Sequence, residues 1–326
     1  MADQVEPAPH QHPAAVAPDA AELHEVVDGV YAWVQPDGSW WINNAGAVTG
    51  DGGTVVVDTC ATEERTRRFL AALAAATGDA PVRMAANTHQ HGDHTYGNCL
   101  LPPTTVLFGH EAMRAGLAED FIIDGCPAFW EPIPDWGDVT RRLPDVALRS
   151  SVTLHTGDRG VELHHPGYAA HTTGDVVAWL PDERVLFTGD LVFSGLTPLV
   201  FMGSLEGALR SLDWLAAFEP LHLVPGHGPL VGEADLARVL GGHERYYRFI
   251  VDTARGAAAE GASPLEAAQR ADLGEFAHWA DAERLVLNLH RAMADQTGAE
   301  MDLFAAFVDA MTWNGGPLTT HVCCAV

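Results

Sequence analysis

The stretch THQHGDHTYGN, residues 88–98, places His89, His91, Asp93 and His94 within six positions, beside Gly92 and Gly97. A packed core holds three imidazoles and a carboxylate this close together only if each finds a partner, because unpaired buried polar groups cost free energy. A solvated loop gains nothing from them. Histidine nitrogens and carboxylate oxygens are common donors to divalent metals. Whatever fold the chain adopts must therefore bring this stretch to a point where an ion can sit. His89 and His91 can chelate one ion from a loop. Asp93 and His94 are adjacent, point elsewhere, and suit a second.

Three more extended runs end in residues of the same type. HPGYAAHTTGD, after the run opening at GVELHH, places His171 and Asp175; ERVLFTGD ends in Asp190; LHLVPGHG ends in His227. Each follows a strand-like run and has glycine nearby, so separate strands can aim side chains at one point and leave room for an ion and a substrate. Asp175 reads either as a partner orienting His171 or as a turn residue. Eight other histidines (His110, His155, His164, His165, His222, His243, His278 and His290) lie outside these motifs and read as ordinary packed or surface residues.

The surrounding pattern is α/β. LHEVV and VYAWV flank Asp28-Gly29, a hairpin signal. WWINNAGAV and TVVVDT continue as strands. TEERTRRFLAALAAATG reads as a helix capped by Thr62, favoured at its start by Glu63 and Glu64, and ended by Gly78. VRMAAN is the next strand, so the opening stretch lies just beyond the second strand of a β-α-β unit, where sites gather in open sheets. After about residue 233 strand signals vanish. SPLEAAQRADLG carries a capping box, Ser263 to Glu266, with Pro264 at the first helical position. DAERLVLNLHRAMADQTG and EMDLFAAFVDAM are amphipathic helices. The expected organisation is a disordered tail over 1–21, holding His10 and His12, a catalytic domain over 22–232, and a helical C-terminal extension over 233–326.

Composition excludes several partners. The chain has 44 acidic against 18 basic residues, every base an arginine, for a formal net charge of −26. Nucleic-acid binding rests on neutralising phosphates, so no nucleic-acid partner is expected, and anionic membranes are disfavoured. No run of ~18 apolar residues suggests a transmembrane helix. The start has neither the basic flank nor the apolar run of a signal peptide, which predicts a cytoplasmic protein. Cys60, Cys99, Cys126, Cys323 and Cys324 form no disulfide framework and no CxxC zinc site, and read as reduced thiols.

On HQHGDH (89–94), His171 in AHTTGD, Asp190 in FTGD and His227 in PGHG, the chain resembles the metallo-β-lactamase-fold superfamily over roughly residues 22–232. The resemblance implies an αββα sandwich with a dinuclear zinc site along one edge, two Zn2+ per chain. His89, His91 and His171 would hold one ion; Asp93, His94 and His227 would hold the other; Asp190 would bridge them. Metals in such a site lower the pKa of water from 15.7 to roughly 7, and Asp93 would orient the nucleophile and take its proton. Flavodiiron relatives carry glutamate where His91 stands. The best-known β-lactamases carry cysteine where Asp190 stands, which argues against β-lactam hydrolysis. The nucleic-acid-cleaving branch has an inserted domain and basic surfaces that this sequence lacks.

Longer stretches narrow the resemblance. NAGAVTGDGGTVVVDT, SGLTPLVFMGS, ADLGEFAHWADAERLVLNLHRA and NGGPL are similar to bacterial proteins of this fold in aromatic-polyketide biosynthesis, described as cyclases or cyclase/thioesterases. The resemblance implies a thioesterase or esterase acting on a small or acyl-carrier-bound hydrophobic aromatic substrate. Phe121, Phe129, Trp130, Trp136, Phe193 and Phe201, in Pro- and Gly-spaced segments, read as core or as the wall of its pocket. The alternatives are a metal-dependent cyclase without hydrolysis and a general hydrolase of the glyoxalase II type. The sequence leaves a homodimer open.

Overall fold

The computed structural model describes residues 21–322; residues 1–20 of the expected N-terminal tail, with His10 and His12, and Cys323 and Cys324 lie outside the described residues, while Ala21, expected in the tail, is buried. From the N-terminus come β1 (Glu22–Val27), β2 (Val30–Val34), β3 (Ala45–Gly50), β4 (Gly53–Val57), α1 (Glu63–Thr77), β5 (Val82–Ala86), α2 (Gly92–Thr95), β6 (Val106–His110) and α3 (Glu111–Glu119). There follow β7 (Trp130–Glu131), β8 (Val146–Leu148), β9 (Ser151–Thr156), β10 (Arg159–His164), β11 (Val177–Leu180), β12 (Val185–Phe193), α4 (Leu205–Ala216), β13 (His222–His227) and β14 (Val231–Gly232). The rest is α5 (Glu233–Glu260), α6 (Pro264–Arg270), α7 (Arg284–Thr297), α8 (Leu303–Asn314) and β15 (Leu318–Thr319).

Local chemistry explains the junctions. Gly29 turns the β1–β2 hairpin with φ +69°, a conformation that costs glycine little. The Thr62 side chain caps α1 by accepting from Arg65 N–H, and Gly78 ends it in the left-handed conformation. The Ser263–Glu266 capping box opens α6. β4 and β5 pair in parallel across α1, as the β-α-β pattern predicts.

Two sheets stack. The first runs β1-β2-β3-β4-β5-β6-β8 and the second β14-β13-β12-β11-β10-β9. Their inner faces share a core of Val30, Val48, Val55, Leu163, Ala178, Phe187 and Val224. The outer face of the first sheet packs on α1 through Trp33, Val56, Phe69 and Leu73. The outer face of the second packs, through Trp179, Leu186 and Leu223, on a larger core that takes in α4, α5 and the C-terminal helices. Helices thus cover both outer faces of a two-sheet sandwich, the αββα arrangement, with a helical C-terminal part. Among the described residues no helix is long and apolar enough to cross a membrane.

Two segments differ from the sequence reading. Trp40–Asn44 was expected to be strand, but the strand begins at Ala45. Trp41 is in the left-handed region at φ +69°, and the side chains of Asn43 and Asn44 donate to Thr59 O and to Pro225 O and Gly228 O. The aromatic content reflected burial, not extension. Late in the chain, β15 pairs in parallel with β7, and two residues are too short a run to leave a period-2 signal.

One helix contact makes stability pH-dependent. His243 of α5 is buried; its Nδ1–H donates to Val239 O and its Nε2 accepts from Phe193 N–H. Burial pulls its pKa down from 6.5 to about 4, against the Val239 hydrogen bond. The neutral ring therefore stabilises the fold fully above pH ~6.5, and this is lost as pH falls through ~4, a contribution of about 3 kcal/mol. His243→Gln should flatten this acid limb in chemical denaturation measured from pH 7 to pH 4; parallel curves for the two proteins would show that His243 does not carry it.

Candidate metal centre

The seven expected ligands meet at one edge of the sandwich. His89, His91, Asp93 and His94 occupy the loop after β5 and the short α2; His171 lies between β10 and β11; Asp190 lies in β12; His227 ends β13. His89, His91, His171 and Asp190 form one group, and Asp93, His94 and His227 a second, with the donor atoms of each within 4.8 Å of one another. Asp190 touches both: its Oδ2 is 3.4 Å from His171 Nε2 and 3.4 Å from His227 Nε2, and its Oδ1 is 3.1 Å from His94 Nε2.

Outward hydrogen bonds fix which nitrogen of each ring faces inward. His171 Nδ1–H donates to Leu199 O at 2.7 Å and His227 Nδ1–H to Gly38 O at 2.8 Å. A carbonyl only accepts, so in the neutral rings that bind a metal both Nε2 atoms carry the lone pair. His94 Nδ1–H donates to Asp58 Oδ2 at 2.8 Å. The Thr88 hydroxyl spends its proton on Asp58 Oδ2 and accepts from His89 Nδ1–H. His89 Nε2 is therefore bare as well.

These lone pairs point at one another. His91 Nδ1 stands 3.0 Å from His89 Nε2 and 2.9 Å from His171 Nε2. One proton on His91 can bridge only one of them. His94 Nε2 and Asp190 Oδ1, 3.1 Å apart, are both buried and make no well-aligned hydrogen bond. Buried unpaired donors and acceptors are costly, and a cation in each group relieves them. The donor set, imidazole nitrogens with a shared carboxylate, fits a pair of divalent metals.

The electrostatics agree. Burial, then His171, hold the His91 pKa down to about 3; burial and His94 hold His89 well below its ordinary value. Burial opposes charge on His227 too, but Asp190 and Asp93 outweigh it and raise the pKa to about 9. Asp93 is drawn down to about 2: burial works against it, and His94 and His227 prevail. The carboxylates stay ionised and call for positive charge beside them.

Small residues make the approach possible. A Cβ on Gly226 would lie 2.0 Å from Asp190 Oδ1. Gly38, at φ +51°, offers its carbonyl to His227, and a Cβ there would meet Gly228 N at 2.3 Å. Flat rings brace two ligands: Phe201 stacks on His91 at 5.0 Å and Phe193 on His227 at 5.2 Å between centroids.

The site opens into a cavity of about 490 Å³. His91, Asp93, Asp190 and His227 face it at one end. Of the aromatics singled out from sequence, Phe121, Phe129, Trp130, Phe193 and Phe201 line it; Trp136 instead packs behind Tyr96 and Trp41. Trp40, Trp41, Tyr96, Phe304 and Phe307 add to the wall, which the sequence reading missed in part because Phe304 and Phe307 sit on a helix more than a hundred residues beyond the aromatics singled out.

Asp175 does not orient His171. Its carboxylate accepts from Thr172 N–H and Oγ1–H, the turn role, while Leu199 O takes the His171 proton. The orienting carboxylate that sequence reasoning missed is Asp58. It is buried at φ +59° and serves Thr88 and His94 together; its only signal was its place at the end of TVVVD.

A family model described as the Metallo-beta-lactamase superfamily matches residues 38–227. The chain is 34% identical over 134 residues to hydroxyacylglutathione hydrolase of Methylococcus capsulatus, covering 40% of this chain and 42% of that protein. It is 30% identical over 154 residues to the 2,4-dinitroanisole O-demethylase subunit alpha of Nocardioides sp., covering 46% and 42%. The chain spans less than half the length of these curated relatives. Among solved structures, the sec-alkylsulfatase Pisa1 from Pseudomonas sp. superposes with a TM-score of 0.68 at 18% identity, over 87% of this chain and 51% of that one. A metallo-beta-lactamase from Pontibacter korlensis gives 0.55 at 19% identity, over 70% and 99%. At these identities the structures show the fold alone.

Asp58→Asn keeps a residue that tolerates the left-handed backbone and removes the charge on His94 Nδ1. Metal affinity should fall about 10–100-fold, read by competition with a chromogenic chelator. Unchanged affinity would show that this contact does not tune the ligand.

Proposed function

We propose that this chain, which belongs to the metallo-beta-lactamase superfamily, is a two-zinc hydrolase that cleaves the thioester or ester of a hydrophobic aromatic acyl compound, as in the release step of aromatic-polyketide assembly. The observation that carries the reading is the pair of buried donor groups sharing Asp190 and facing an aromatic cavity. Similarity to hydroxyacylglutathione hydrolases over 40% of the chain supports acyl hydrolysis. The aromatic wall supports a flat, apolar acyl group. A small molecule or a carrier-bound acyl chain both suit a cavity that opens to the surface beside Phe121 and Phe304, which are 72% and 68% exposed.

His89, His91, His171 and Asp190 would hold one ion, and Asp93, His94 and His227, with Asp190 shared, the other. When bound, such a pair supplies an acidified water and positive charge opposite a developing oxyanion. The chain's own residues do the rest. Asp93, ionised at neutral pH, presents Oδ2 at the cavity end 3.2 Å from His227 Nε2, where it can orient the attacking water and take its proton. Phe193 and Phe201 keep the His227 and His91 rings in plane. The aromatic wall excludes bulk water and so strengthens the electrostatics at the reacting carbonyl. The large aromatic cavity also favours a second reading, a cyclase that closes rings without hydrolysis.

Asp93→Asn, matched for zinc by elemental analysis, should release thiol from a naphthoyl thioester about 10²–10⁴-fold more slowly. His155→Ala, on the exposed face of β9, should keep near-native activity. Full zinc with near-native cleavage in Asp93→Asn would remove the general-base role. No thiol release by the unmodified enzyme from any aromatic acyl thioester would leave the cyclase.

A further inference from the structure

Among the described residues lining the cavity, Arg284 is the one permanently charged cation. It opens α7, in the helical C-terminal part, yet faces the same space as Asp93, Asp190 and His227. It is 1% exposed. Burying a guanidinium is expensive, and packing alone would be met by a leucine or methionine at this point.

The guanidinium is held from several sides. One terminal nitrogen pairs with Asp281 Oδ2 at 2.7 Å and the other donates to Thr197 O at 3.1 Å. The plane lies over the ring of Trp40 at 4.6 Å and near that of Phe193 at 5.2 Å, favourable cation–π positions. Asp281 is held in turn by the Ser39 hydroxyl at 2.8 Å, and Trp40 by Glu283, to which its Nε1–H donates at 2.6 Å. The Arg284 Nε–H is buried without a partner. A fixed, weakly hydrated cation that lines an apolar pocket and keeps one buried N–H without a partner in the chain is an arrangement suited to an anionic oxygen. Phe193 links it to the metal centre, since that ring touches Arg284 on one side and stacks on His227.

We propose that Arg284 is the anion-recognition residue of the cavity, so that the preferred ligand is an aromatic compound carrying an acidic oxygen group, a carboxylate or acidic enol, in addition to the bond to be cleaved. This names the substrate class of the hydrolase proposed above and rests on that reading for its role in turnover. Binding itself is independent of turnover. Trp40 and Phe193 flank the guanidinium and face the aromatic body of the ligand, while Arg284 takes the charge. Asp281 is then a positioning residue, acting only through Arg284.

Calorimetry on the zinc-loaded protein tests this with 1-naphthalenesulfonate and the neutral 1-naphthyl methyl sulfone. The two match in shape, sulfonate is a poor zinc ligand, and the Arg284→Met comparison separates the contribution of Arg284 from the long-range charge of the metals. The unmodified protein should bind the sulfonate at least about tenfold more tightly. Arg284→Met should lose that preference while still binding the sulfone, and Arg284→Lys should keep part of it. Equal affinities for the two probes in the unmodified protein would overturn the proposal without any variant. So would a preference that survives Arg284→Met. Failure of the hydrolase reading would appear separately, as absent thiol release with the sulfonate preference intact.

Discussion

Three imidazole lone pairs meeting at about hydrogen-bond distance, with no proton available to join them all, is the interaction on which the rest of this molecule depends. His89 and His171 each spend their one N–H outward, on Thr88 Oγ1 and on Leu199 O. What remains inward is repulsive unless a cation sits there. The fold accepts this cost because it is built around it. The strand ends converge; Asp58 is held in a left-handed conformation to reach His94; Gly226 and Gly38 leave out side chains so that Asp190 and His227 can close in. Each concession lies at the same edge of the sandwich and makes sense only with positive charge between the donors.

The second dependence is between the two halves of the chain. The sandwich supplies the ligands but only part of the cavity. Phe304 and Phe307 come from α8, Arg284 from α7, and Trp40 from the loop between β2 and β3, pinned by Glu283 and by Thr320 through its carbonyl. A buried polar cluster of Ser39, Trp40, Asp281, Glu283 and Arg284 thus joins the helices to the sandwich beside the site. Within it burial, and then the nearby Asp281, push the Glu283 pKa up to about 7. The cavity wall is thus shared between the sandwich and the helical part, while both donor groups lie on the sandwich.

How legible each feature was in sequence follows from its range. The ligand residues could be read because each lies in or after an extended run with glycine nearby, a local pattern, and because H-x-H-x-D-H is dense in donors. The caps of α1 and α6 were legible for the same reason: Thr62, Gly78 and Ser263 act within a few residues of themselves. Trp40–Asn44 misled because aromatic density marks burial as well as strand. Asp58, the carbonyls of Gly38 and Leu199, and Arg284 were illegible because their roles are set by partners at separations from 28 to 244 residues. Nothing in TVVVD or AERL distinguishes a residue that will face a metal ligand or a cavity from one that will face solvent.

The proposed pair of metal ions would occupy the donor groups on either side of Asp190. Anomalous diffraction at the zinc edge, on crystals of the purified protein, would locate them. Two peaks are expected, one among His89, His91 and His171 and one among Asp93, His94 and His227, with Asp190 reaching both. A single peak at full occupancy, or no peak at this edge with the seven side chains in the same arrangement, would contradict the proposed pair.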